Sequence, residues 1–524
     1  MHYVVGSGPA GVSCAKALLA HGLDVTMLDG GLQLEPEREF RLQSMRSQPP
    51  ETWSGDTGKF LKDGMTSGAS GIPLKLAYGS DYPYRVPPAA PKVEFDSADS
   101  SPSYALGGLS TVWGSAVMPW QQRDMTGWPI NAAELEEGYR AVGRWMPLSA
   151  RTDDLATDFP LFCDDPDPMP LSHQASGMLS DLDAHKRQLN QKGISFGTAR
   201  IAVAANRCVT CGLCMYGCPY RLIYSTGRTV EEMRADPHFI YIPGVVVRSV
   251  TEKGSAVTIT ALDTANHEVK FEADRVYLAA GVYNTSAILL RSLNLYNRPV
   301  RLFDSQYFLL PALRFASAGK VTQENLHTLA QLFLEVMDPA ISPHTIHLQT
   351  YTYNDLFVAP IEQKLGPLRP LFPLQQFLSR LILFQGYLHS THSAQLVATL
   401  IHRGSVQCGS DDVLQVRGLT NPETRPTLKK LIRKLLALAP AMRAVPLVPL
   451  LQTGKPGRGY HSGGTFPMRI SPSAGETDIY GRPAGLARVH AVDSTIFPSV
   501  AATTITLTAM ANAYRIGSAV DRYS

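Results

Sequence analysis

The chain has no run of apolar residues long enough to cross a bilayer, so a membrane-spanning helix is not expected. It has little excess charge: a formal net charge of +3 over 524 residues gives no argument for nucleic acid as a partner. It has no stretch ahead of its first motif, which opens at Met1 and leaves no room for a signal peptide. A cytoplasmic location is the expectation that follows. It also lacks a regular cysteine framework, since the seven cysteines are an odd number and four of them fall within residues 208–218. That distribution does not suit a secreted, disulfide-stapled domain. What remains, 44% hydrophobic and 18% charged residues, is globular in composition and long enough for two or three domains with sizeable cores.

Residues 1–29 are the stretch around which the rest is organised. Met1-His2-Tyr3-Val4-Val5 is short, apolar and partly β-branched, and reads as a buried strand. Gly6-Ser7-Gly8-Pro9-Ala10-Gly11 follows, then a small-residue helix stopped by Gly22, then a second strand ending in Asp29. Strand, glycine turn, helix, strand and acid in this order form the dinucleotide-binding fingerprint. Gly6 permits the tight turn, Gly8 lets backbone approach a pyrophosphate, and Gly11 lets the helix pack on the strand. The helix N-terminus faces the phosphate charge. Asp29 is placed to accept hydrogen bonds from a ribose.

Residues 30–98 are rich in Gly, Pro, Ser and Arg and read as loops and short helices over the nucleotide domain. Gly107-Gly108-Leu109-Ser110-Thr111-Val112-Trp113-Gly114 offers small residues and hydroxyls that allow backbone to lie against a flat ring or phosphates. Residues 131–144 and 171–191 read as helices, with an acidic, Pro-rich surface loop at 153–170 between them. Residues 239–250, 256–262 and 268–278 read as strands, the last leading into Ala279-Ala280-Gly281 and a helix. Alternation at 345–353 and 393–401 suits a sheet with one covered face. The apolar stretch 356–387 and the basic amphipathic stretch 429–451 read either as core or lid helices or as a seat on a membrane interface.

Cys208, Cys211, Cys214 and Cys218, followed by Pro219, have the spacing C-x2-C-x2-C-x3-C-P of bacterial ferredoxins. Short spacers of this kind wrap thiolates around a compact cluster, and Gly212 and Gly217 let amides approach the sulfurs. An iron–sulfur cluster, of the 4Fe-4S type, is the expectation. Four thiolates also suit a structural zinc, and disulfides or free thiols are the remaining readings. Nothing brackets Cys14, Cys163 or Cys408 as a remote ligand.

Near the C-terminus, Tyr460-His461-Ser462-Gly463-Gly464-Thr465 is followed by a strand ending in Asp493, by Phe497-Pro498, by Ala501-Ala502-Thr503-Thr504-Ile505-Thr506, and then by a helix through Ala513. Together with the opening glycines and residues 107–114, this block resembles the glucose–methanol–choline (GMC) oxidoreductase family. Ser110-Thr111-Val112-Trp113 looks most like its pyranose-oxidase branch. There a histidine in the place of Val112 bonds covalently to the flavin, so the resemblance implies noncovalent FAD here.

The resemblance implies an α/β fold: a Rossmann-type FAD-binding domain (1–150, 195–292 and 455–524) and a second, mostly antiparallel sheet with helices for the substrate (151–194 and 293–454). It implies FAD-dependent oxidation of a CH–OH group of a sugar or related alcohol, with His461 as base and hydride passed to flavin N5. A neutral imidazole suits that proton transfer. The second catalytic position aligns with Thr504, which can hydrogen-bond a substrate oxygen but is no base near neutral pH. Gly6, Gly8, Gly11, Asp29, Gly108, Ser110, Thr111, Val247 and Asp493 are the cofactor-binding candidates. Gln349, His389 and His392 lie in the candidate substrate region. Electrons are expected to pass through the cysteine cluster to a redox protein, quinone or oxygen. An oxygen-using oxidase with a structural metal, and an inactive flavin-binding scaffold, are the alternatives.

Overall fold

The computed structural model describes residues 1–53, 58–62, 74–402 and 412–522, so Cys408 lies outside the described residues. A parallel five-stranded sheet runs in the order Val489–Ala491, Arg275–Leu278, His2–Val5, Val25–Leu28, Phe239–Ile242. His2 pairs with Val25 on one side and Arg275 on the other. The strands Val25–Leu28 and Arg275–Leu278 are buried throughout, as apolar runs covered on both faces must be. Helix Pro9–Ala20 begins four residues after the first strand ends. It packs on helix Ile505–Ser518, where Ser13 Oγ donates to the Met510 carbonyl at 2.7 Å. A Cβ on Gly517 would meet Cys14 O at 3.0 Å, so the two helices approach almost backbone to backbone. The two ends of the chain therefore meet, as the motifs require.

Two stretches that read as single strands divide. Phe239–Ile242 joins the parallel sheet, whereas Val246–Lys253 belongs to a separate antiparallel sheet with Ala256–Leu262 and Glu268–Ala273. Residues 268–278 likewise split at Asp274 into an antiparallel strand and the parallel strand Arg275–Leu278. Strand Lys92–Asp96, within the stretch read as loops, pairs in parallel with Asp412–Leu419.

A seven-stranded sheet carries the second half. It runs Ala444–Pro446, Tyr307–Arg314, Leu381–Tyr387, Ile346–Tyr351, Leu332–Val336, Ile194–Thr198, with Gln452–Thr453 beside Tyr307–Arg314. One face sends Phe308, Leu310, Leu334, Leu348, Ile382 and Phe384 into a core closed by helices His173–Ala184 and Thr424–Ala437. The basic stretch thus spends its apolar side, Leu428, Leu431, Ile432 and Leu435, on this core, which leaves that side no membrane to seat on. Among the described residues no helix is long and apolar enough to cross a membrane. A fourth sheet, Ser462–Gly463, Val300–Asp304, Gln395–His402, Asp412–Leu419 and Lys92–Asp96, shares the core of the parallel sheet and brings the C-terminal segment to the junction.

Candidate active site

Two cavities meet at this junction. The first, with about 1380 Å³ of empty space, runs over the C-terminal ends of the parallel strands, where open α/β sheets bind ligands. Its floor is glycine backbone. Gly6 has φ +103°, and a Cβ there would sit 2.4 Å from Ala279 O. A Cβ on Gly11 would lie 1.9 Å from Gly6 O, so this glycine lets the helix close on the turn. A Cβ on Gly8 would meet nothing within 4 Å among the described residues, which leaves this backbone open to a ligand. Ser7 Oγ accepts from Gly107 N at 2.9 Å and so ties the first glycine turn to the second. Gly108, Val247 and Asp493 also line this cavity.

The two buried carboxylates differ from a free acceptor. Asp29 accepts from Ser7 N (3.1 Å), Ser7 Oγ (2.8 Å), Gly31 N (3.1 Å) and Tyr241 Oη (2.9 Å). A carboxylate offers about four acceptor positions, so a ribose hydroxyl would have to displace one of these donors. Burial pushes Asp29 up to about 6 against those hydrogen bonds. Asp493 accepts from Gly281 N (2.9 Å), Thr285 Oγ1 (2.6 Å) and Thr495 N (3.0 Å), and burial raises it as well.

The second cavity, about 1200 Å³, lies between the first and the seven-stranded sheet. The two share Pro9, Leu109, Tyr460, Ile505 and Thr506 as lining. His461 and Thr504 both line the second cavity. Among the described residues, His461 Nδ1 and Thr504 Oγ1 are buried without a hydrogen-bond partner, as is Ser115 Oγ on the same wall. Such orphaned atoms are costly in a closed core. Burial, then the nearby His347, pushes the His461 imidazole down to about 3, so it is neutral at ordinary pH. Its ring stacks on Tyr387 with centroids 4.7 Å apart. Tyr460 just before it is held at φ +54°, an uncommon conformation for a bulky residue. The loop that bears both is pinned by buried Asp304, which accepts from Gly457 N at 2.8 Å and Ser462 Oγ at 3.1 Å.

The far wall is the second face of the seven-stranded sheet. Register sets His347 opposite Glu335 and Tyr387, and Gln349 opposite Gln385. His347 Nδ1 lies 2.6 Å from Glu335 Oε1, and its Nε2 lies 3.2 Å from Gln349 Nε2. With Nδ1–H donating to the carboxylate, Nε2 accepts from the amide. Gln349 Oε1 then accepts from Tyr351 Oη (3.1 Å) and Gln385 Nε2 (3.4 Å), and Gln385 Nε2 also donates to Tyr387 Oη at 2.8 Å. The Tyr387 hydroxyl therefore keeps its own proton to offer into the cavity.

Two solved structures share this architecture. Pyridoxine 4-oxidase from Mesorbium loti is 14% identical, with a TM-score of 0.58 over 99% of this chain and 99% of that one. A formate oxidase of Aspergillus oryzae RIB40, studied for modification of its FAD, is 13% identical, with a TM-score of 0.59 over 99% of this chain and 98% of that one. The likeness is one of fold. It establishes the α/β architecture of parallel sheet plus antiparallel sheet and helices. No protein-family model and no curated protein matches the chain.

The remaining expected residues are placed as follows. Ser110 lines the second cavity, with its hydroxyl donating to Gly107 O at 2.6 Å. Thr111 lines neither cavity, and its hydroxyl donates to Gly108 O. Gln349 is in the wall, whereas His389 and His392 belong to a separate histidine cluster in which His389 stacks on His344 at 3.7 Å. Lys75, Tyr307, Tyr351, Gln385, Tyr387 and Arg458 line the second cavity without having been singled out. The alternation His347, Gln349, Tyr351 along an otherwise apolar strand was the readable sign of a polar wall.

The cysteine segment departs from its expectation. Among the described residues, no group of three or more His, Cys, Asp or Glu side chains is placed to hold a metal ion. Cys208, Cys211, Cys214 and Cys218 are free thiols, and burial raises the thiol pKa values of Cys208, Cys211 and Cys218. Cys208 Sγ accepts from Thr210 N and Cys218 Sγ from Leu222 N, each at 3.4 Å. Neighbouring cysteine sulfurs add to the rise at Cys208, Cys211 and Cys218, so the four lie near one another. Nothing among the described residues supports an iron–sulfur cluster or a zinc site at this segment.

Proposed function

We propose that the protein is an FAD-dependent oxidoreductase that oxidises a CH–OH group of a sugar or related alcohol. The observation that carries this reading is the shared wall: a glycine-floored cavity suited to a dinucleotide shares five lining residues with a cavity lined by a neutral, buried imidazole. Gly6, Gly8, Gly11, Gly108, Val247 and Asp493 are suited to hold the dinucleotide, with Gly8 leaving space for the pyrophosphate at the helix N-terminus. Bound FAD would supply the two-electron acceptor that takes the hydride from carbon. Val112 lines the second cavity and has no atom able to bond to a flavin, so the cofactor is noncovalent.

The chain's own residues manage the alcohol. His461 takes the hydroxyl proton on the ring nitrogen that faces the cavity as the C–H bond breaks and the C=O bond forms. Thr504 Oγ1 donates to the substrate oxygen. Tyr387 and the amides of Gln349 and Gln385 supply hydrogen bonds that orient further hydroxyls. Leu109 and Tyr460 lie where the cavities join and keep bulk water from that junction. No step runs through the cysteine segment. The two similar folds are both oxidases by name, which favours oxygen as acceptor, reduced to hydrogen peroxide, over a one-electron relay.

The test is an absorption spectrum of the purified protein, acid release of the chromophore, and anaerobic addition of a sugar panel. Flavin bands that bleach with a sugar and recover with oxygen uptake are expected. A protein that neither retains nor rebinds FAD would overturn the reading.

A further inference from the structure

The second cavity carries cationic but no acidic lining. Lys75 and Arg458 face it, and among the described residues no aspartate or glutamate does. Arg458 is paired with Asp99 at 3.5 Å. Among the described residues Lys75 has no carboxylate partner, and its Nζ donates to the Trp113 carbonyl at 2.8 Å alone. An ammonium has three donors, so two remain for whatever enters. Burial pushes this ammonium down to about 8, opposed in part by the neighbouring Cys214 sulfur. Five tyrosines, Tyr84, Tyr307, Tyr351, Tyr387 and Tyr460, share the lining and give flat faces on which a ring can lie.

We propose that the substrate is an alcohol that also bears a negatively charged oxyanion group, carboxylate or phosphate, which Lys75 binds while the reacting hydroxyl sits at His461 and Thr504. This rests on the oxidoreductase reading above and narrows its substrate class. Anion and ammonium complete each other inside the cavity, where the low dielectric strengthens the pair. A neutral alcohol of the same shape leaves the ammonium unpaired, so discrimination should be large.

The test uses the FAD-loaded enzyme and matched alcohols differing in charge: glucose, glucuronate and glucose 6-phosphate, and benzyl alcohol against 4-(hydroxymethyl)benzoate. Anaerobic flavin reduction and the ligand-induced shift of the flavin spectrum are both read, giving reduction rate over Kd and binding separately. At least one anion should exceed its neutral partner by about 10-fold or more, a difference of ~1.4 kcal/mol. Comparison of glucuronate with glucose 6-phosphate assigns the carboxylate or the phosphate. In Lys75→Met that ratio should fall toward 1, and in Lys75→Arg it should persist. Equal or better use of the neutral member in every pair by the wild-type enzyme overturns the proposal, whatever the variants do. So does a preference that survives in Lys75→Met. If no member of any pair reduces the flavin or shifts its spectrum, it is the oxidoreductase reading that fails.

Discussion

The two cavities are built by different means. The first is shaped by what is missing: three glycines whose absent Cβ atoms let a turn close, a helix approach and a ligand lie on backbone. The second is shaped by side chains that many separate segments deliver, from Pro9 to Thr506. A backbone cradle tolerates little at its steric positions and recognises a generic phosphate. A side-chain wall tolerates more and recognises a particular substrate. Evolution can thus retune one without disturbing the other.

The largest effect expected on this contrast is at the point where both cavities meet. His461→Ala should lower anaerobic flavin reduction by about 10²–10⁴-fold, the usual worth of a general base, while FAD stays bound; rapid-mixing absorbance measures it. Next come the glycines. Gly11→Ala drives a methyl to 1.9 Å from Gly6 O and should lose FAD and at least ~1–3 kcal/mol of stability. Gly8→Ala meets nothing within 4 Å and should melt like the wild type yet hold FAD more weakly. Equal melting curves for the two variants would break the division between steric and ligand-facing glycines. A smaller change is expected in the wall. Gln349→Leu removes the donor to His347 Nε2 and the acceptor for Tyr351, and should raise KM about 10-fold with unchanged FAD affinity, by steady-state kinetics and flavin titration. The smallest is in pH response. Because burial holds His461 near 3, its neutral form persists as pH falls through 6.5, where an ordinary histidine would take up its proton. The acid limb of kcat/KM should therefore lie below about pH 5.

The same contrast decides what could be read from the chain. Gly6, Gly8 and Gly11 are written directly into the sequence, since a residue without a Cβ is itself the structural requirement. His461 was singled out through its neighbours, and it lines the second cavity with its Nδ1 buried. The polar wall was half legible. Alternation shows that His347, Gln349 and Tyr351 share a face, but which face meets a cavity depends on register with Leu332–Val336 and Leu381–Tyr387, and register between distant strands is a tertiary property. Lys75 sits in an irregular stretch with no periodicity to announce it. The cysteine spacing brings four thiols near one another, but spacing alone does not show what they hold. The strands at 239–250 and 268–278 were misdivided because an apolar run does not reveal that its two halves join different sheets.

The central claim is that one flavin ring lies across the wall the cavities share. A crystal structure of the FAD-loaded enzyme tests it most directly. The account predicts the isoalloxazine against Pro9, Leu109, Tyr460, Ile505 and Thr506, with the His461 imidazole facing its reactive side. A ring seated elsewhere, with His461 turned away from it, would contradict the account.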